Sequence, residues 1–271
     1  MANYFKEYFS FLFGYPATFS IRYKLGNSDQ QTANINGLSK DSIRIYRQAK
    51  YSNRVSLTRE KQGIVLEMNK QSSIAILCIK SFDNDILNSV YKQDFNSTVQ
   101  RMFIQINNAN IRNLVLDIRN NQGGDFETGK LLLSYLLRQP VKYLPDRKEY
   151  EIIIPKKNSF KGNLFIIING GSFSSTGILS SYLEFTKRGV FIGEETAGNK
   201  VLISGDPIDI ALPNTKILSE LSTIKYVIRK TNNDGHGVIP TYYMTSSIDN
   251  IIIDKDITKE FVLSLISKNK Q

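Results

Sequence analysis

From about residue 63 the chain alternates between short unbroken apolar runs and longer segments whose apolar residues recur three and four positions apart. The runs "NLVLDIR" and "NLFIIIN" have the pattern of strands buried on both faces, and "GIVLEMN" with "SIAILCIKSF" reads as a hairpin. In "DFNSTVQRMFIQINNAN", Val99, Met102, Phe103 and Ile106 fall on one helical face, with Asn96 or Ser97 as the expected cap. "ETGKLLLSYLLRQ" predicts an amphipathic helix stopped by Pro140. Beyond it come "EYEIIIP", the strand "NLFIIIN", a helix starting near Ser174, the strand "GVFIGEE" and the stretch "DIALPNTKI". A last helix, "DITKEFVLSLISKNK", places Leu263 and Ile266 on one face. Strand, glycine-rich turn and helix occur twice in succession, which predicts an α/β layered fold with crossover helices.

The first 62 residues differ. "TFSIRYKL" alternates, "GNSDQQ" is a turn and "TANING" begins a partner strand; "SKDSIRIYRQAKY" predicts a short helix with Ser39 as cap. This segment is too small and polar for a core of its own and is expected to lean on the larger region after it. Two regions result, 1–62 and 63–271.

Composition narrows the classes. Hydrophobic residues make up 41% of the 271, enough for a buried core. The net charge is +10, but Lys and Arg are dispersed, without zinc-finger spacing or a long basic run, which argues against a nucleic-acid partner. The single cysteine, Cys78, excludes an intrachain disulfide and lies in an apolar strand as a small hydrophobe. His, Cys and paired carboxylates are not clustered, so no metal or other cofactor is expected. No apolar run approaches the ~18 residues of a membrane helix, and the aromatic-rich start, preceded by Lys6 and Glu7, makes a poor signal peptide.

Three short segments carry candidate chemistry. Gly123 and Gly124, after "NLVLDIR", are read either as a tight turn or as backbone donors facing a ligand. Ser172, Ser174, Ser175 and Thr176 cluster where a helix begins, either as simple N-caps or as a nucleophilic serine at a strand-to-helix elbow. The lone histidine, His236, stands between two glycines near Asp234, in a structural turn or as a proton acceptor. Adjacent parallel strands bring the loops at their carboxyl ends to one crevice. Backbone donors and a serine oxygen meeting there is the arrangement acyl transfer requires.

With these segments in order, the chain resembles the tail-specific, or C-terminal processing, serine peptidase family S41. "LVLDIRNNQGG" resembles that family's strand and Asn-x-Gly-Gly turn, "NGGSFSSTG" its nucleophile segment, and "GVFIGEETAG" its G-x-x-T-x-G strand and turn. "GHGVIPTYYM" with the terminal helix resembles its Gly-Val-x-Pro-Asp region, so the likeness spans roughly residues 70–267. It implies a ClpP- and crotonase-like α/β core. It also implies Ser174 as nucleophile and an oxyanion hole from the amides of Ser175 and of Gly123 or Gly124. Protein or peptide substrates and an extracytoplasmic location are implied by the same likeness. "FLFGYPATFSIRYKLGNSDQQTANINGLSK" resembles the second half of the PDZ-like domain that precedes the core in this family, so the chain is expected to begin inside that domain.

The sequence departs from the family at the general base. One branch places a lysine directly after the last Gly of G-x-x-T-x-G; here Asn199 holds that position and Lys200 comes one residue later. The other, tricorn-like branch uses an upstream histidine and an acid ahead of Gly-Val-x-Pro. Asp234 stands near the acid's position, and His236 is the only imidazole. Thr241 replaces the Asp after Pro240. The expected function is a serine-type peptidase, impaired if its base is absent. The alternative is a non-catalytic domain that binds peptides or apolar ligands in the same crevice. A crotonase-like acyl-CoA enzyme shares the core, but nothing in the sequence signals an adenine or phosphate site.

Overall fold

A computed structural model of the protein describes residues 12–14, 16–24, 28–51, 62–146 and 151–268. Most of the aromatic-rich start that makes a poor signal peptide lies outside them. The chain divides into two compact units, residues 1–60 and 61–271.

In the first unit, strands β1 (Thr18–Tyr23) and β2 (Gln31–Asn36) pair antiparallel from Thr18↔Asn36 to Tyr23↔Gln31. A helix, α1 (Lys40–Tyr51), comes next, and Ser39 caps it by accepting the Ser42 N–H at 3.1 Å.

The second unit is built on one six-stranded sheet. Its strands are β3 (Ile64–Asn69), β4 (Ile74–Ile79), β5 (Asn113–Asp117), β8 (Asn163–Ile168), β9 (Val190–Gly193) and β12 (Tyr242–Tyr243). The spatial order is β12-β9-β8-β5-β4-β3; only β3 runs antiparallel to its neighbour. The three central strands are apolar at nearly every position because both faces are covered. On one face, Leu77, Leu114, Leu116, Ile166 and Ile168 meet helices α3 (Phe95–Asn108), α4 (Phe126–Leu136) and α5 (Ser175–Phe185). On the other, Ile76, Val115, Phe165 and Ile167 meet α7 (Ile257–Lys268) through Val262 and Ile266. Two shorter helices, α2 (Asn84–Tyr91) and α6 (Ile248–Ile252), complete the set, together with the small β6 (Val141–Tyr143) and β7 (Glu151–Ile153) pair.

Details depart from the sequence reading. Helix α3 buries Val99, Met102, Phe103 and Ile106 as its period requires, but its cap is Asp94, whose Oδ1 accepts the Ser97 N–H at 2.9 Å. A carboxylate at this position also favours the helix dipole, an advantage over the amide or hydroxyl further on. Helix α4 stops at Leu136, before Pro140. There the buried Arg188 guanidinium takes the helix's last carbonyl, donating to Leu136 O at 2.5 Å, and ties it to the loop before β8 by donating to Phe160 O at 2.7 Å. The stretch around "DIALPNTKI" is part of a ten-by-ten-residue hairpin, β10 (Leu202–Ala211) and β11 (Leu218–Val227), whose base is anchored by buried Tyr226. On α7 the inner row is Thr258, Val262 and Ile266, with Leu263 only partly buried. Cys78 is half-buried on β4, and burial, with Asp117 nearby, pushes its thiol up to about 11.

One ion-pair network ties the last helix to the sheet. Arg119, just past β5, donates to both carboxylate oxygens of Asp117 and of Asp256, with 2.6 Å as the shortest distance to each. Asp256 also caps α7 by accepting the Lys259 N–H at 3.0 Å. Burial alone would raise the Asp256 pKa, but the bonds from Arg119 and the Lys259 amide hold it below the ordinary value. A carboxyl with a depressed folded pKa contributes stability above its unfolded pKa of about 3.9, and that contribution fades as pH falls through the lower folded value. Asp256→Asn is therefore expected to unfold at lower urea than wild type at neutral pH. The gap between the two midpoints should narrow below about pH 4; a gap constant across that range would exclude this role.

Candidate active site

Loops from the carboxyl ends of β5 and β8 meet side by side, and a pair of asparagines laces them together. Asn169 Oδ1 accepts the Asn120 N–H at 2.9 Å, and Asn169 Nδ2 donates to Asn120 Oδ1 at 3.0 Å. Gly171 passes so close to Asn120 that a Cβ there would lie 2.8 Å from Asn120 Oδ1. Ser172, fully buried, donates to Ile118 O at 2.9 Å and accepts the Asn169 N–H at 3.1 Å. These bonds fix the entry to α5.

Ser174 occupies the cap position of α5 with φ 55° and ψ −125°. This is the first central position of a type II′ turn, a conformation glycine normally supplies. Its side chain makes no capping bond, and among the described residues none holds its Oγ. The neighbouring hydroxyls are committed or enclosed: Ser175 Oγ donates to Gly124 O at 2.5 Å, and Thr176 Oγ1 is buried without a partner. Simple N-capping therefore does not account for Ser174.

The Gly pair packs against this turn. A Cβ on Gly123 (φ 97°) would lie 2.7 Å from Ser174 Cβ and 2.9 Å from Ser175 N, and one on Gly124 (φ 136°) would lie 2.1 Å from Asp83 N. Phe82 pins the segment, donating to Gly123 O at 2.9 Å and accepting the Asp125 N–H at 3.2 Å. The two glycine amides differ. The Gly123 N–H is occupied by Asn121 Oδ1 at 2.9 Å, so Gly123 is corrected from donor to spacer. Among the described residues the N–H groups of Gly124 and Ser175 have no acceptor. The buried Asn121 was not singled out in the sequence. It also donates to Ile79 O at 3.1 Å and accepts the Phe173 N–H on its own carbonyl at 3.1 Å, joining β4, the Gly turn and the serine turn. A cleft of about 990 Å³ opens beside Gly124, walled by Asp125, Phe126, Tyr143 and Leu144.

The turn 195–198 lies against the serine turn on one side, where Ala197 donates to Ser172 O at 3.1 Å. On its other side Thr196 exchanges two hydrogen bonds with Val238, at 3.1 and 2.8 Å. Lys200 is not placed as a base. Its Nζ pairs with Asp234 at 3.0 Å and lies 3.9 Å from Glu184, and its side chain is only 13% exposed. Its donors are engaged by two carboxylates, whereas a base must offer a lone pair to the serine. Asp234 is likewise not the imidazole's partner. Its Oδ2 meets Lys200 and its Oδ1 accepts the His236 backbone N–H at 3.1 Å, and the bond from Lys200 foremost holds its carboxyl below the usual range. His236 Nδ1 instead faces Glu195 Oε1 at 3.1 Å, an oxygen that also accepts the Gly237 N–H at 2.8 Å. Since a carboxylate only accepts, the Nδ1 that faces it carries a proton, and the tautomer this selects leaves the lone pair on Nε2. Glu195 is a site residue the sequence reading passed over; two adjacent acids in "GEETAG" gave no reason to prefer either. Among the described residues, no group of three or more His, Cys, Asp and Glu side chains converges as metal ligands would.

The chain belongs to peptidase family S41, whose model matches residues 73–244. It is 26% identical over 188 residues to the tail-specific protease of Haemophilus influenzae, covering 65% of this chain and 25% of that protein. It is 28% identical over 118 residues to the chloroplastic C-terminal processing peptidase of Tetradesmus obliquus, covering 42% of this chain and 25% of that one. The chain thus spans about a quarter of the length of these relatives. Mature CPAF complexed with lactacystin superposes with a TM-score of 0.62 at 12% identity, over 94% of this chain and 68% of that one, a likeness of fold. The layered α/β core with its central parallel sheet is the architecture expected from the sequence.

The backbone at residue 174 predicts a stability effect opposite to most substitutions. A non-glycine residue held in such a region costs about 1–3 kcal/mol. Ser174→Gly is expected to raise the denaturation midpoint, by about 1 kcal/mol in unfolding free energy, while Ser174→Ala leaves it nearly unchanged. A Ser174→Gly protein no more stable than Ser174→Ala would exclude strain at this position.

Proposed function

We propose that this chain is a serine-type peptidase that cleaves unstructured protein segments through an acyl-enzyme on Ser174. One observation carries the reading: a serine hydroxyl without a structural bond, on a turn only constraint maintains, beside two amides that no acceptor occupies. In this reading the Ser174 Oγ attacks the scissile carbonyl carbon. The N–H groups of Gly124 and Ser175 receive the negative charge that develops on the carbonyl oxygen. Each such donor is worth about 3 kcal/mol in the transition state.

The proton leaving Ser174 needs an acceptor, and His236 Nε2 is the one we assign, with Glu195 steadying the ring through Nδ1. The imidazole then returns the proton to the leaving amine, and water repeats the sequence to release the acid. His236 is carried on the segment that bonds the 195–198 turn on the side away from Ser172. Catalytic hydrogen bonds often tighten only in the substrate complex. The likeness to the family supports protein or peptide substrates, C-terminal tails among them, and a location outside the cytoplasm.

A fluorophosphonate probe tests the nucleophile and the base separately. Wild-type protein is expected to be labelled and Ser174→Ala not at all, whereas His236→Ala should react about 10²–10⁴-fold more slowly. Glu195→Gln should slow labelling and alter its pH profile. If Lys200→Ala abolishes labelling while His236→Ala does not, the base is the lysine. A silent wild-type protein that still binds peptides would favour the non-catalytic reading.

A further inference from the structure

A second cleft, of about 670 Å³, opens at the C-terminal ends of α4 and α5. No candidate catalytic residue lines it. Six cationic residues do, Arg138, Lys142, Lys187, Arg188, Arg229 and Lys230, and among the described residues no acidic one lines it. The bland explanation is that cations offset two helix C-termini. It accounts for Arg188 through its bond to Leu136 O; the other donors of Arg188, and Arg138, go to the carbonyls of Phe160, Lys161 and Gly162 in the loop before β8. It does not account for Lys230, which follows β11 rather than a helix.

Arg229 is 9% exposed; its Nη2 meets Glu184 at 2.6 Å and its Nη1 donates to Ser181 O at 3.5 Å, while its Nε–H is buried with no acceptor among the described residues. Lys187 and Lys230 stand exposed at the rim, and Asp146, which meets Lys230 at 2.7 Å, does not line the cleft. Among the described residues Arg188 has no carboxylate partner. Burial and the nearby Arg138 push its guanidinium down to about 10, a cost an anion in the cleft would relieve. The apolar part of the lining includes Phe185, a ring 53% exposed with the Arg229 guanidinium 5.8 Å from its centre. The volume falls within the roughly 300–1,000 Å³ of small-molecule sites.

We infer that this cleft binds a phosphate-bearing organic anion of about nucleotide size, its charged end among Arg229, Lys187 and Lys230 and its flat apolar body against Phe185. Lysine ammoniums at the rim bind phosphate as point charges, and the several oxygens of a phosphate can meet more than one of them, which favours phosphate over a single carboxylate.

Thermal unfolding and calorimetry of the full chain at fixed ionic strength, with inorganic pyrophosphate, ATP and adenosine as probes, test this. ATP is expected to raise the Tm saturably, pyrophosphate less and adenosine not at all. Lys187→Asn combined with Lys230→Gln, both at exposed positions, should weaken ATP binding at least tenfold while leaving the ligand-free Tm unchanged. Any of three results would overturn the inference: no saturable shift with ATP or pyrophosphate; a shift that sodium chloride of equal ionic strength reproduces, as a merely basic chain would give; or ATP affinity undiminished in the double variant.

Discussion

The backbone of residue 174 sits where an L-amino acid stays only under constraint, and much of the surrounding structure supplies it. Asn121 holds Phe173 from one side, Ser172 is bonded to the end of β5, and Gly123 presses its Cα against the serine itself. Remove the side-chain bonds and the turn would relax toward an ordinary helix start, with its first serine accepting an amide as N-caps do. The sheet matters to this arrangement because parallel neighbours β5 and β8 deliver both loops at the same edge. The glycines then allow a separation that any Cβ would forbid.

Charge is distributed around this turn with equal economy. Lys200 is neutralised by Asp234 and Glu184, so the ammonium nearest the family's lysine position is committed to structure. The imidazole next to it in space pairs with a different acid, Glu195. The two pairs share one loop: Asp234 reaches the lysine with one oxygen and the histidine's backbone with the other. The loop is thus held by its carboxylate while the ring above it answers to the 195–198 turn. Glu184 spans further, from Lys200 to Arg229, and connects this loop to the basic cleft at the end of α5.

What the sequence conveyed came from period and composition. Helix α3 and strands β5 and β8 were readable because their apolar spacing has one structural solution each, and the glycine and serine turns because adjacent parallel strands must end together. Side-chain bonding within loops was not readable. Nothing local indicates that Asn121 occupies the Gly123 amide, that Asp94 rather than Asn96 or Ser97 caps α3, or that Glu195 and not Asp234 faces the imidazole; each depends on a few tenths of an ångström in chain path. The long β10–β11 hairpin was obscured because Gly205 and Pro207 interrupt its first strand, and both are residues that usually end one.

Cys78 has a practical consequence. It is the sole thiol of the chain, and with its pKa near 11 only about one molecule in 10⁴ carries the thiolate at neutral pH. Maleimide dyes and spin labels would therefore couple to it slowly. A cysteine introduced at an exposed loop position would react far faster, so distances between the loops of this protein can be read spectroscopically without first removing the native sulfur.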